Sequence, residues 1–246
     1  MNFRTEIKIE NADFTLKPSD KITLIGSCFA DNIGHLFKQH RLTTLANPYG
    51  VLYNPFSVAD AIDAIIEKRQ YNEDDLFFDG DLWYSPWHHG QFSHPNKKEM
   101  LLRMNLANIE AHAFLASTNI LFITLGTSWV YKHKQLGMVV ANCHKQPADH
   151  FVRYRLSMDE INESYAALLA KIKTFAPQIT VVFTVSPVRH WKDTAHGNQL
   201  SKAILLLSVD QLVQKTSFAN YFPAYELVMD DLRDYRFYDR DMLHPN

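Results

Sequence analysis

Three short apolar runs, each closing on glycine or small polar residues, constrain the fold of this chain more than any other feature. Lys21 to Ile25 lies between the turn-forming Lys17-Pro18-Ser19-Asp20 and Gly26, Ile120 to Leu125 closes on Gly126, and the β-branched Thr180 to Val185 closes on Ser186-Pro187. Runs of this length, bounded by breakers, read as buried strands. Between them the apolar spacing turns helical. Ile33, Leu36 and Phe37 share a face within Asp31 to Gln39, and Val58, Ala61, Ile62, Ile65 and Ile66 do so behind Ser57 and Asp60, a variant capping box that predicts a helix over 58–69. Lys98 to Ala116 predicts another. Ser157 with Glu160 is a full capping box ahead of Ile161, Tyr165, Leu168, Ile172 and Phe175, with Pro177 as the stop. Ser201 to Lys215 predicts one more amphipathic helix, and Ala219 to Phe222 a last short strand.

Strands that alternate with helices predict a parallel sheet covered on both faces, an α/β three-layer sandwich. A chain of 246 residues, 46% of them apolar, can build one substantial core. With no internal repeat or linker, the expectation is a single domain over 1–246.

The formal net charge of −2, with no run of Lys or Arg, argues against a nucleic-acid partner, which demands clustered positive charge. The longest apolar stretches fall far short of the roughly 20 residues that cross a bilayer as a helix, so no membrane span is expected. Glu6, Lys8 and Glu10 interrupt the region where a secretory leader needs an apolar core. Two cysteines, Cys28 and Cys143, make no disulfide framework and suit a reducing compartment. The expected location is cytoplasmic, and the oligomeric state is left open.

Open α/β sheets bind ligands beyond the carboxyl ends of their strands. Here those positions are Gly26-Ser27, Gly126-Thr127-Ser128 and Ser186-Pro187-Val188-Arg189-His190. A serine hydroxyl becomes a nucleophile when a histidine accepts its proton and a carboxylate orients that histidine. Asp241-Met242-Leu243-His244 offers both partners on one loop. Taken alone, Ser27 reads more readily as a helix cap and His244 as a surface histidine; together they are the stronger signal. Cys28 is an alternative nucleophile at the helix entrance, although small buried cysteines are common there.

Other segments carry further expectations. Trp87-His88-His89-Gly90-Gln91-Phe92-Ser93-His94 is histidine-rich, but its spacing matches no common metal signature, so a hydrogen-bonded loop and no metal are expected. Trp83, Tyr84, Trp87 and Phe92 are candidates for a substrate platform or a hydrophobic loop. Trp87, His88, Cys143, His144, Arg189 and His190 are the candidate substrate-binding residues, with Arg189 and His190 aimed at an anionic or hydroxyl-rich group or held in a structural salt bridge. Arg233-Asp234-Tyr235-Arg236-Phe237 reads as a packed corner bracing the terminal loop.

Ile25-Gly26-Ser27-Cys28-Phe29-Ala30, Asn47-Pro48-Tyr49-Gly50, Leu125-Gly126-Thr127-Ser128-Trp129, Asn142-Cys143-His144-Lys145, Thr184 to His190, Tyr221-Phe222-Pro223 and Leu232 to Phe237 occur in order along the chain. In these motifs the chain resembles the GSCFA family, a relative of the SGNH or GDSL hydrolases. The resemblance implies a flavodoxin-like sheet, Ser27 as nucleophile, His244 as general base and Asp241 as its orienting acid. It implies the backbone N–H groups of Ser27 and Gly50 as oxyanion donors. SGNH enzymes usually carry G-x-N-D in the third block, and Ser128 stands here in place of the asparagine donor, with Asn54 or Asn142 as substitutes. Family members generally continue into a closing helix beyond the position of Asn246, so a shortened copy is expected. The implied activity is hydrolysis of short-acyl or acetyl esters, acylated carbohydrate among them, through an acyl-serine intermediate and without a cofactor. The alternatives are a noncatalytic carbohydrate- or acyl-binding descendant and an acyltransferase that uses the same serine.

Overall fold

The computed structural model describes residues 6–9, 12 and 14–245; residues 1–5, 10, 11, 13 and 246 lie outside the described residues. With them lie part of the leader reading, including Glu10, and the chain-end reading at Asn246.

The apolar runs form strands. β1 (Lys21–Gly26) leads into α1 (Cys28–Gln39), β2 (Thr43–Ala46) and α2 (Pro55–Ile66). A hairpin of β3 (Phe77–Phe78) and β4 (Trp83–Tyr84) precedes α3 (Lys97–Leu115) and β5 (Ile120–Leu125). Then β6 (Trp129–His133), β7 (Val139–Val140) and β8 (Phe151–Arg155) make a separate antiparallel sheet with β6 in its centre. The chain continues through α4 (Met158–Phe175), β9 (Thr180–Val185), α5 (Thr194–Lys215) and β10 (Ala219–Tyr221).

The main sheet runs β2-β1-β5-β9-β10 with every neighbouring pair parallel. In order of appearance this is the 2-1-3-4-5 arrangement of flavodoxin-like sheets. Alternation along β5 divides the two faces. Leu121, Ile123 and Leu125 enter the larger core with Val181 and Phe183 of β9 and apolar residues of α2, α3, α4 and α5, whereas Ile120 and Phe122 join Ile22, Leu24 and Val182 beneath Ile33 and Phe37 of α1. Both faces are covered, which is the three-layer sandwich. At about 1.5–3 kcal/mol for each large apolar side chain removed from water, fully buried residues such as Phe183 and Ile123 hold the layers together.

Helices α2, α3 and α5 begin earlier than their apolar periodicity indicates. The cap of α2 is Asn54, whose Oδ1 accepts from the Ser57 N–H at 2.9 Å, and Pro55 takes the first helical position. The expected Ser57 cap is therefore an interior residue, because asparagine before proline is the stronger start signal. Asn96 likewise caps α3. The earlier start of α5 at Thr194 is hidden in the sequence because its first turns bury polar residues, Asn198, Ser201 and Lys202. The strands β6 and β8 also went unpredicted. Among the described residues, no helix is long and apolar enough to cross a membrane.

Candidate functional site

Between β1 and β5 the strand order changes direction, and a crevice opens there by topology. Ser27 sits directly above β1 as the N-cap residue of α1, and its side chain makes no capping bond. The turn that lifts it depends on Gly26, with φ of +142°, where an added Cβ would stand 2.0 Å from the Thr124 carbonyl oxygen. Only glycine fits such an approach. Asn47, whose role the sequence reading missed, pins the turn: its Oδ1 accepts from the Gly26 N–H at 2.8 Å and its Nδ2 donates to Asp31 at 2.7 Å.

A cleft of about 540 Å³ opens above this turn, with Ser27, Cys28, Tyr53, Asn54 and His244 among its lining. Ser27 is 1% exposed, and among the described residues its Oγ has no hydrogen-bond partner. His244 enters the same cleft on a loop tied by the Asp239 N–H to the His244 carbonyl and by a bridge between Tyr238 and Pro245. Asp241 organises that loop. Its Oδ1 accepts from the N–H groups of Leu243 and His244, and its Oδ2 lies 2.5 Å from His244 Nδ1. The backbone N–H of His244, then its ring, then the Leu243 N–H hold the Asp241 carboxyl down at about 2. An ionised carboxylate can only accept, so Nδ1 carries the hydrogen and Nε2 keeps the basic lone pair. The structure thus brings Ser27 and His244, the latter held by Asp241, to one cleft, without a hydrogen bond between Ser27 Oγ and His244 among the described residues.

The expected oxyanion donors fare differently. The Ser27 N–H donates to the Thr124 carbonyl at 3.1 Å and the Gly50 N–H to the Asn47 carbonyl at 2.8 Å, so both are engaged. Gly50, at φ of +77°, lets the loop pass His89, whose Cβ would lie 2.4 Å from an added Cβ. Ser128 is fully buried, and its N–H and Oγ both bond Ser201 Oγ, at 2.8 and 3.1 Å. It braces β6 against α5 and does not line the cleft. Asn54 and Asn142 do line it. Asn54 Nδ2 gives one hydrogen to Ser57 Oγ at 2.9 Å and retains a second, while Asn142 Oδ1 accepts from the His144 N–H.

Of the candidate substrate-binding residues, Arg189, His190 and Cys143 line the cleft. The other three are corrected. His88 is fully buried, stacked on Tyr49 at 4.3 Å with Nδ1 bonded to Ser85 at 2.9 Å; Trp87 packs against the core beneath the Arg69 guanidinium; and His144 Nε2 bonds the Ser85 carbonyl at 2.9 Å. Each anchors its own loop. Trp83 and Phe92 pack on the core and Tyr84 on His144, the hydrophobic loop of the two readings offered for this segment. Among the described residues no group of three His, Cys, Asp or Glu is placed to hold a metal ion.

The aromatic surface of the cleft comes instead from Tyr53, Trp129, Tyr131 and Trp191. Arg153 lies 4.1 Å above the Trp129 ring and pairs with the buried Asp193. The sequence carried a signal for this wall. Trp129 and Tyr131 are two apart, as are Arg153 and Arg155, and the register pairs Tyr131 with Arg153 and Trp129 with Arg155. Period-two alternation puts such residues on one face.

Electrostatics separates the competing nucleophiles and bases. Burial raises the Cys28 thiol, against the opposing N–H groups of Phe29 and of Cys28 itself, and burial raises Cys143 too. Neither is poised as a thiolate. Burial, followed by the charge of Lys202, pushes His190 down to about 4. It is neutral at neutral pH and a weak base. Lys202 was also missed. It is 1% exposed, and its Nζ donates to the carbonyls of Gly126 and Ser186 at 2.6 and 2.5 Å, tying together the loops that leave β5 and β9. Burial first, then Arg189, pushes it down to about 7, yet a neutral amine still has two N–H donors for the two carbonyls.

The GSCFA family profile matches residues 21–246. The chain belongs to the GSCFA family. No curated protein matches it. Among solved structures it is similar to an acetyl xylan esterase, Est2A, from the rumen bacterium Butyrivibrio proteoclasticus, at 12% identity and a TM-score of 0.40. That likeness covers 85% of this GSCFA chain and 56% of the esterase chain, so the chain spans little more than half the length of that protein.

Proposed function

We propose that this GSCFA chain is a serine hydrolase of the SGNH type that cleaves short-acyl carboxylic esters. The observation that carries the reading is a buried Ser27 hydroxyl, without a partner among the described residues, in the cleft that also receives His244 with Asp241 on its ring. His244 Nε2 takes the Ser27 proton as Oγ attacks the ester carbonyl. The tetrahedral oxyanion collapses, the acyl carbon–oxygen bond to the alcohol breaks, and His244 returns its proton to the departing alcohol. Water then attacks the acyl-serine, His244 accepts its proton, and Ser27 recovers it as the carboxylic acid leaves. The second amide hydrogen of Asn54 and the amide of Asn142, both in the lining of the cleft that holds Ser27, are the side-chain donors for the oxyanion, given that Ser27, Gly50 and Ser128 are engaged elsewhere. In the bound complex Ser27 Oγ and His244 Nε2 come within hydrogen-bond reach, as is common for catalytic pairs that are apart in the free enzyme.

A fluorophosphonate probe tests the reading. The intact protein gains the mass of one adduct, and Ser27→Ala gains none. No gain in the wild type, under conditions that label a known serine hydrolase, overturns the nucleophile.

A further inference from the structure

A second cavity, about 710 Å³, abuts the cleft and shares Arg189, His190, Trp191 and Leu243 with it. It lies between the first turns of α5 and the segment from Val228 to Leu243. In its lining Asn198 is 2% exposed, and neither Nδ2 nor Oδ1 has a partner among the described residues. A buried amide left bare on both sides is costly, and native interiors rarely tolerate it. The donor and the acceptor together match a pair of ligand hydroxyls, each of which can give and receive a hydrogen bond. Two further lining residues present broad aromatic surfaces: Trp191 is 67% exposed and Tyr235 74%. Such faces pack well against the C–H surface of a saturated ring. Arg189, at the junction of the two cavities, forms no ion pair among the described residues and adds donors to the lining.

We propose that this second cavity is the subsite for the alcohol half of the ester and takes a hydroxyl-rich ring of the sugar class, whose hydroxyls the Asn198 amide reads. The proposal rests on the ester-hydrolase reading of the neighbouring cleft. An acyl group on Ser27 and an alcohol beyond His190 and Leu243 then occupy the two adjoining spaces.

The test compares two acetates of similar shape, methyl 6-O-acetyl-α-D-glucoside and cyclohexylmethyl acetate, which lacks the hydroxyls. The wild type favours the sugar ester in kcat/KM, and Asn198→Leu lowers the sugar-to-cyclohexyl ratio about tenfold. General damage to the fold slows both esters together; a ratio that stays constant overturns the subsite, as does a wild type without preference. Should Asn198→Leu fail to fold, a titration of the wild type with methyl α-D-glucoside at millimolar concentration is read at the Asn198 side-chain amide resonances, assigned through their loss in Asn198→Asp. Shifted resonances support the subsite, and unmoved ones overturn it. Shifted resonances with no fluorophosphonate adduct and no turnover of either acetate overturn the ester role and the hydrolase reading, while sugar binding stands.

Discussion

Lys202 Nζ stands 2.6 Å from the carbonyl oxygen of Gly126, and the added Cβ position of Gly126 lies 3.5 Å from Ser27 Cβ. The proposed nucleophile thus rests on a strand end fastened by a buried lysine amine. Lys202→Met keeps the length of the side chain and removes its donors, leaving the Gly126 and Ser186 carbonyls short of a partner. The expected loss is about 2–4 kcal/mol of folding stability, read from urea unfolding, with a fall in kcat larger than any change in KM. Unchanged stability would falsify the fastening role.

Asp241→Asn keeps the shape of the loop but lets the amide donate to His244 Nδ1, which favours the tautomer with its hydrogen on Nε2. That ring cannot accept a proton from Ser27. The expected drop in kcat is on the order of 10² to 10⁴, with KM for a short-acyl ester little changed. A variant as fast as the parent removes Asp241 from the proposed relay.

Acid should destabilise the fold through His88. Burial, then the charges of Arg69 and His144, push its pKa to about 3. An unfolded histidine titrates near 6.5, so between about pH 6.5 and 3 the unfolded chain binds a proton that the folded chain refuses, and stability falls as pH falls. The limiting slope from this one residue is about 1.4 kcal/mol per pH unit. Urea midpoints at roughly pH 7, 5.5 and 4.5 should decline more steeply for the parent than for His88→Gln. Parallel declines would show that the proton is taken up elsewhere.

Gly26→Ala should be among the most damaging single methyl additions. The new Cβ meets the Thr124 carbonyl at 2.0 Å, and the φ of +142° is closed to ordinary side chains. The strand end must shift, at a cost of several kcal/mol, measured as a loss of soluble folded protein or a large fall in thermal midpoint. Gly137→Ala, with open space around its Cβ, is the control for φ alone.

The sheet was legible because parallel strands buried on both faces are continuous apolar runs, and β1, β5 and β9 are written that way. The strands β6 and β8 were not, since Trp129-Val130-Tyr131 and Arg153-Tyr154-Arg155 mix large aromatics with charges and form a half-exposed wall. Residues that act through the backbone were legible least. Gly50 and Ser128 sit in recognisable motifs, yet their hydrogen bonds go to Asn47 and Ser201, and a motif does not reveal where an N–H points. Lys202 left a faint mark: it occupies the stripe of Leu205, Val209 and Leu212, where a charge contradicts its apolar neighbours and so announces buried partners.

Ser27 closes the first strand of the sheet, and His244 lies beyond the last. On a ribosome the proposed base emerges more than 200 positions after the proposed nucleophile. Under the proposed relay, a growing chain that has not yet reached Asp241 holds an unactivated serine. Synthesis itself then acts as a safety catch, released when the whole sheet has been laid down.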